Sequence, residues 1–321
     1  MKTKASSHFG KEVRRNFLRY TRKKARKLNE ALHASVEEHV PEAVHKFRKA
    51  TRDLQCIIAV CGIRRSTRKM KRTRDALRES RHALSDTRDS DVLLGLVKRK
   101  QHGSRNAQER ADWSAVAERL IERRHRTLKL FAKKADFQKF SQLTSTAKAI
   151  IRKKAESEPM TENLAELLQQ CWRKWNAAID AFDCDPKVSR LHAVRIKAKS
   201  LRYALDLRHE FYPHAQLEEA SSWLKDLQDQ IGAWHDELAL SQLARSTFPN
   251  SPRAPDAAKI VLGIKEQEIA MAETAQQYLQ SLRATDEYQR LRRLLSAAIF
   301  AMANDQAAEP PARAAITGLL H

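Results

Sequence analysis

A chain of 321 residues with 61 lysines and arginines against 39 acidic residues has a formal charge of +22. That charge calls for a polyanionic partner such as nucleic acid, an anionic membrane or polyphosphate. Seven glycines and nine prolines favour an all-helical chain, and aromatics at 6% leave little for stacking unpaired bases. No apolar run approaches a membrane span and the basic N-terminus lacks a signal-peptide core, so the expectation is a cytoplasmic protein with no membrane partner.

The charge is uneven. Residues 1–160 carry 42 lysines and arginines against 18 acidic residues, a net of +24, whereas residues 161–321 carry 19 against 21, a net of −2. The first predicted helix covers about residues 8–38, with Val13, Phe17, Leu28 and Leu32 on its apolar side. Arg15, Arg19, Arg22 and Arg26 lie on the other side. The second helix starts just after Pro41, a residue suited to a first helical turn, and carries Val44–His45–Lys46–Phe47–Arg48–Lys49–Ala50–Thr51–Arg52. A third helix, about 66–84, presents Lys71, Arg74, Arg78 and Arg81 at i, i+3, i+7 and i+10. A fourth is expected to open at Arg88–Asp89, with the aspartate at the helix start as a cap or ion-pair partner. A long helix at about 105–134 and a closing helix from Phe137 complete this stretch, which breaks near Ser157–Glu158–Pro159.

The pattern then returns. Leu191–His192–Ala193–Val194–Arg195–Ile196–Lys197–Ala198–Lys199 stands 147 residues after the first motif, and His235–Asp236 stands at the same offset from Arg88–Asp89. Helices are expected after Pro186, over about 215–230, from His235–Asp236 and over about 256–282. Tyr288–Gln289–Arg290–Leu291 matches Phe137–Gln138–Lys139–Phe140 at an offset of 151, which implies a small insertion in the loop from Phe248 to Pro255. Two motif pairs at one offset indicate two copies of one structural unit, about 8–155 and 160–303, within a single domain. The Ala- and Pro-rich tail from about 304 to 321 reads as disordered.

Each motif puts a histidine and two cations at i, i+3 and i+7, within roughly 60° of helical arc. Like charges so spaced repel one another and make sense when an anion neutralises them. Each histidine is flanked on its face by cations, a poor setting for a metal dication and a good one for donating to an anion. Glycine-loop, nucleophile-elbow and paired-carboxylate motifs are all missing, so the chain reads as non-enzymatic, with no metal and no cofactor implied. Cys56, Cys61, Cys171 and Cys184 sit at neither metal-ligand nor disulfide spacing and read as reduced core residues.

At these residues the chain resembles the CHAD family (conserved histidine α-helical domain). The resemblance covers roughly residues 8–303. It rests on the His45, Arg48 and Arg52 motif, on Arg88–Asp89, on Leu191 to Tyr203 with His192, Arg195, Lys199 and Arg202, and on Leu227–Gln228 with Ile231–Gly232 and His235–Asp236. It implies an all-α fold: two pseudo-symmetric four-helix-bundle-like units with long helices, facing a central basic groove or pore. It also implies inorganic polyphosphate as partner, and in some members association with polyphosphate granules. Carried over residue by residue, His45, Arg48, Arg52, His192, Arg195, Lys199 and Arg202 would contact phosphate, with Lys225 and Arg78 facing the groove. Lys71, Arg74 and Arg81, with Arg19, Arg22 and Arg26, are expected to add further cation stripes to the same groove. Asp53, where the family often has a basic residue, and Gln55, at the position equivalent to Arg202, depart from the pattern. The remaining readings are a nonspecific nucleic-acid-binding protein, with weaker binding, and a polyphosphate or triphosphate hydrolase.

Overall fold

The structure, a computed structural model, describes residues 3–104, 106–157, 159–211, 215–247, 257–293 and 295; for residues 3–10, 13 and 257–265 it describes the backbone alone. The loop from Phe248 to Pro255, Val13's side chain and the tail after 304 therefore lie outside the described residues. Ten helices follow in order: α1 (Thr3–Glu37), α2 (Pro41–Cys61), α3 (Arg68–His82), α4 (Ser85–His102), α5 (Ala107–Lys134), α6 (Phe137–Ser157), α7 (Met160–Cys184), α8 (Val188–Phe211), α9 (Ala215–Thr247) and α10 (Ala257–Arg283). Residues 286–293 are also helical, and the described residues form no strand. The protein is all-α.

Local chemistry sets several of these boundaries. Pro41 occupies the first turn of α2, where its missing amide costs nothing. Thr67 caps α3 by accepting from the Met70 amide at 3.2 Å, and Asn106 caps α5 by accepting from the Glu109 amide at 2.8 Å.

Two expectations fail. No helix starts at His235–Asp236, because α9 runs unbroken from Ala215 to Thr247. Asp89 is no cap either: α4 begins at Ser85, and its N-cap is Leu84, which makes no side-chain cap bond. Gly232 explains part of the difference. A Cβ there would meet Arg195 Nη2 at 3.0 Å, so glycine inside the helix spares that guanidinium a small shift where it lies on α9.

α1 packs along α2 and α6, α7 along α8, α8 along α9, and α4 along α5. α2 also touches α7 and α8, so the two motif helices meet. One continuous apolar core runs through both halves of the chain, from Phe17, Leu28, Phe47 and Leu54 to Trp175, Ile179, Phe182 and Leu201. Each of these large side chains contributes about 1.5–3 kcal/mol by leaving water. A smaller second core joins Leu93 and Val97 of α4, Val116 and Leu120 of α5 and Leu240 of α9. Arg124 braces its rim, its Nε 2.6 Å from Asp91.

Asp53 is buried on α2 and pairs with Lys24 of α1 at 2.5 Å. Burial pushes its carboxyl above the usual range even though Lys24 pulls the other way. Lys24→Met strands that carboxylate and should cost about 3 kcal/mol. Because Asp53's folded pKa is raised, the deficit should grow as pH rises through its titration, and Lys24→Met with Asp53→Asn should recover most of it. Urea denaturation at several pH values measures both effects.

Candidate functional site

Where α2 and α8 meet, their cations converge. Arg48 and Arg52 of α2, and Arg195, Lys199 and Arg202 of α8, are all half-buried, as is Arg81 from the last turn of α3. The Tyr203 ring lies between the two helices. The Arg52 guanidinium is 5.8 Å from its centroid and that of Arg202 is 5.2 Å away, within cation–π range. One aromatic face thus receives a cation from each helix.

The six positive charges act on one another. Lys199 is pushed down to about 7, first by burial and then by Arg195, Arg52, Arg202 and Arg48. Arg81 is pushed down to about 10 by burial, then by Arg52 and Arg48. Arg48 is lowered by burial and Arg52, with Asp89 opposing. Burial disfavours the charge of this lysine and four arginine neighbours repel it, a combination that favours an anionic ligand.

Two of the arginines also hold the helices together. Arg48 Nη1 donates to the Arg81 carbonyl at 2.7 Å and to Ser85 Oγ at 3.0 Å, tying α2 to the α3–α4 corner. Arg195 Nε points at the Gln228 carbonyl at 3.5 Å, a long contact, and its guanidinium rests over Gly232. Arg48 and Arg195, expected as anion contacts, are therefore structural ties as well. Arg52, Lys199 and Arg202 accept no such duty in the described contacts, and they are the cations most available to a ligand.

The histidines sit at the margin of this cluster. His45 is exposed and His192 half-buried. Both are held below the ordinary imidazole range, His45 by burial and Arg88, His192 by burial and His235. The rings of His192 and His235 are 5.5 Å apart. His192 Nδ1 is buried without a hydrogen-bond partner. Both histidines are thus neutral near pH 7 in the ligand-free protein, and an incoming anion would supply the charge that favours the imidazolium. Sequence reasoning gave Arg88 and His235 a structural role and Tyr203 none; recurrence at the shared offset was the available signal for the first two.

The outer stripes fare differently. Lys71, Arg74 and Arg78 of α3 are exposed, and Arg78 pairs with Asp75 at 3.2 Å. Lys225 pairs with Asp229 at 3.4 Å and lines a depression of about 340 Å³ beside Arg202. On α1, Arg26 pairs with Glu30 at 3.4 Å, Arg22 is exposed, and Arg19 lines a different depression with Glu210 and Phe211. The charges that dominate Arg48, Arg81 and Lys199 come from α2, α3, α4 and α8, not from α1.

The two departures from the family pattern acquire reasons. Asp53 serves Lys24 and so fastens α1 to α2. Gln55 donates to the Arg74 carbonyl at 2.9 Å and accepts from Arg81 Nη1, holding that guanidinium in the cluster. Among the described residues no three His, Cys, Asp or Glu side chains gather to hold a metal ion, and no helix is long and apolar enough to cross a membrane.

Arg48 and Arg52 should separate in a stability assay. Arg48→Ala leaves the Arg81 carbonyl and Ser85 without their charged donor and should cost about 2 kcal/mol. Arg52→Ala removes one repelling charge and should leave the ligand-free protein at least as stable. Thermal melts of the two variants give the comparison.

A family model, the CHAD domain, matches residues 19–245. Among the solved structures, the crystal structure of the CHAD domain from the plant Ricinus communis aligns over 90% of this chain and 92% of its own, with a TM-score of 0.58 and 17% identity. No curated protein matches the sequence. Motif residues, helical architecture and family match agree: the chain belongs to the CHAD domain family.

Proposed function

We propose that this protein binds inorganic polyphosphate without catalysis, between α2 and α8, and that binding draws it to polyphosphate granules in the cytoplasm. One observation carries the reading: cations of α2, α3 and α8 crowd around Tyr203 with too little negative charge to balance them. Arginine forks and a lysine suit phosphate oxygens, and a fixed array of them needs neither base edges nor stacking platforms. The groove expected from the sequence would run along this crowded line. Asp89 interacts with Arg48 and Arg123 and also with Asp86 and Asp236, and Asp236 lies beside His235 at 3.4 Å.

Nucleic acid shares the phosphate chemistry, and the exposed cations of α3 and α1 would track any phosphate backbone. The distinction is competitive. Long-chain polyphosphate should displace DNA from the protein at physiological salt, and DNA should not displace polyphosphate; the reverse order would overturn the proposal.

Lys199 provides a second test. Its folded pKa of about 7 lies below the ordinary lysine value, so the free protein holds it increasingly neutral as pH rises above 7. A bound polyanion favours the charged form, so binding takes up a proton in that range. Affinity should fall between about pH 7 and 9, and Lys199→Arg, which stays charged, should flatten the profile. Titrations at fixed ionic strength across that window are the measurement.

A further inference from the structure

The six cations around Tyr203 do not all come from matching positions. At the offset of 147, Arg48 answers Arg195 and Arg52 answers Lys199. Arg202, however, answers Gln55, and Arg81 answers Gln228. An arginine and a glutamine stand in exchanged places: glutamine on α2 and arginine on α3 in the first half, arginine on α8 and glutamine on α9 in the second.

The geometry makes this more than a coincidence of lettering. The motif arginine of each half reaches for the backbone carbonyl 33 residues on, Arg48 for Arg81 and Arg195 for Gln228. Positions 81 and 228 therefore occupy the same place relative to their arginines. In the first half the exchanged side chains touch directly, Arg81 Nη1 donating to Gln55 Oε1. In the second, Gln228 is 2% exposed and its amide has no partner among the described residues; Arg202 Nε is likewise buried and unpartnered. Both third cations still reach the same cluster. Arg81 is acted on by Arg52, Arg48 and Tyr203, while Arg202 lies over Tyr203 and acts on Lys199.

We propose that Arg81 and Arg202 are interchangeable counterparts, so that each half of the chain presents three cations to one polyanion and the third is supplied from a different helix in each half. This rests on the polyphosphate reading above. It also implies that the site itself is balanced between the halves, although their overall charges are +24 and −2. The excess of the first half lies outside the cluster, on α1, α5, α6 and the outer face of α3.

A swap experiment tests the proposal, with polyphosphate of defined length as the probe and affinity measured at several salt concentrations. Arg81→Gln should weaken binding roughly tenfold and reduce the salt slope by about one. Gln55→Arg in the same protein should restore both to within about twofold, and Arg202→Gln with Gln228→Arg should behave the same way. Wild-type affinity in Arg81→Gln, or no recovery in the double variant, would overturn the inference. If the wild-type protein fails to bind polyphosphate at all, the functional reading falls, and the counterpart relation is then read without ligand. In that case Arg81→Gln should raise the melting temperature by relieving repulsion, and the swap should return it to the wild-type value. A swap that melts like Arg81→Gln would overturn the relation independently of function.

Discussion

Arg48, Arg52, Arg81, Arg195, Lys199 and Arg202 carry like charge into a partly desolvated space, where each neighbour is felt more strongly than in water. Asp89 offsets Arg48 in part, yet burial and the neighbouring cations still lower Arg48, Arg81 and Lys199. The stability that keeps them together comes from elsewhere, from the apolar core that passes beneath both motif helices and from ties such as the one Arg48 makes to the Arg81 carbonyl. The site is thus a strained concentration of charge held by packing. Lys199, held down to about 7, is the member of the cluster whose proton is most easily lost.

Much of this was legible in the sequence. Helix starts were readable where a local signal decides them, as at Pro41, and the recurrence of His45, Arg48 and Arg52 as His192, Arg195 and Lys199 pointed to α2 and α8, whose cations the structure brings together. What spacing could not supply was the identity of the surface each face would meet. The α1 stripe had the same periodicity as the α2 stripe, yet Arg26 turns to Glu30 while Arg52 turns to Tyr203. Arg81 reads as the last member of the α3 stripe, and its half-burial and its contact with Gln55 separate it from the exposed Arg74 and Arg78. The unbroken α9 was also hidden. Glycine and an Asp-containing dipeptide suggest a break, but the buried approach of Arg195 to Gly232 explains why that glycine is inside a helix.

The uneven charge divides into two kinds. Charges at the cluster act on one another across short, partly buried distances and are poorly screened by salt. The exposed cations of α1 and α3 lie in solvent, where a Debye length of about 8 Å at physiological ionic strength limits their reach. The first kind sets geometry and protonation. The second contributes to attraction at a distance and weakens quickly as salt rises.

α9, like α5, contributes to both apolar cores. Its first half contributes Leu217, Leu224, Leu227 and Ile231 to the main core, and its second half contributes Leu240 to the smaller core under α4 and α5. Arg195 rests on it at Gly232, about 12 Å of helix rise from Leu240. The first half of the chain has a corner at Ala83–Leu84 in the corresponding place, with Leu84 buried and Arg48 bonded on both sides of it. The second half has a beam. A load applied to the smaller core is delivered along α9 to the seat of Arg195, whereas it reaches the Arg48 seat across a corner that this arginine's own hydrogen bonds join.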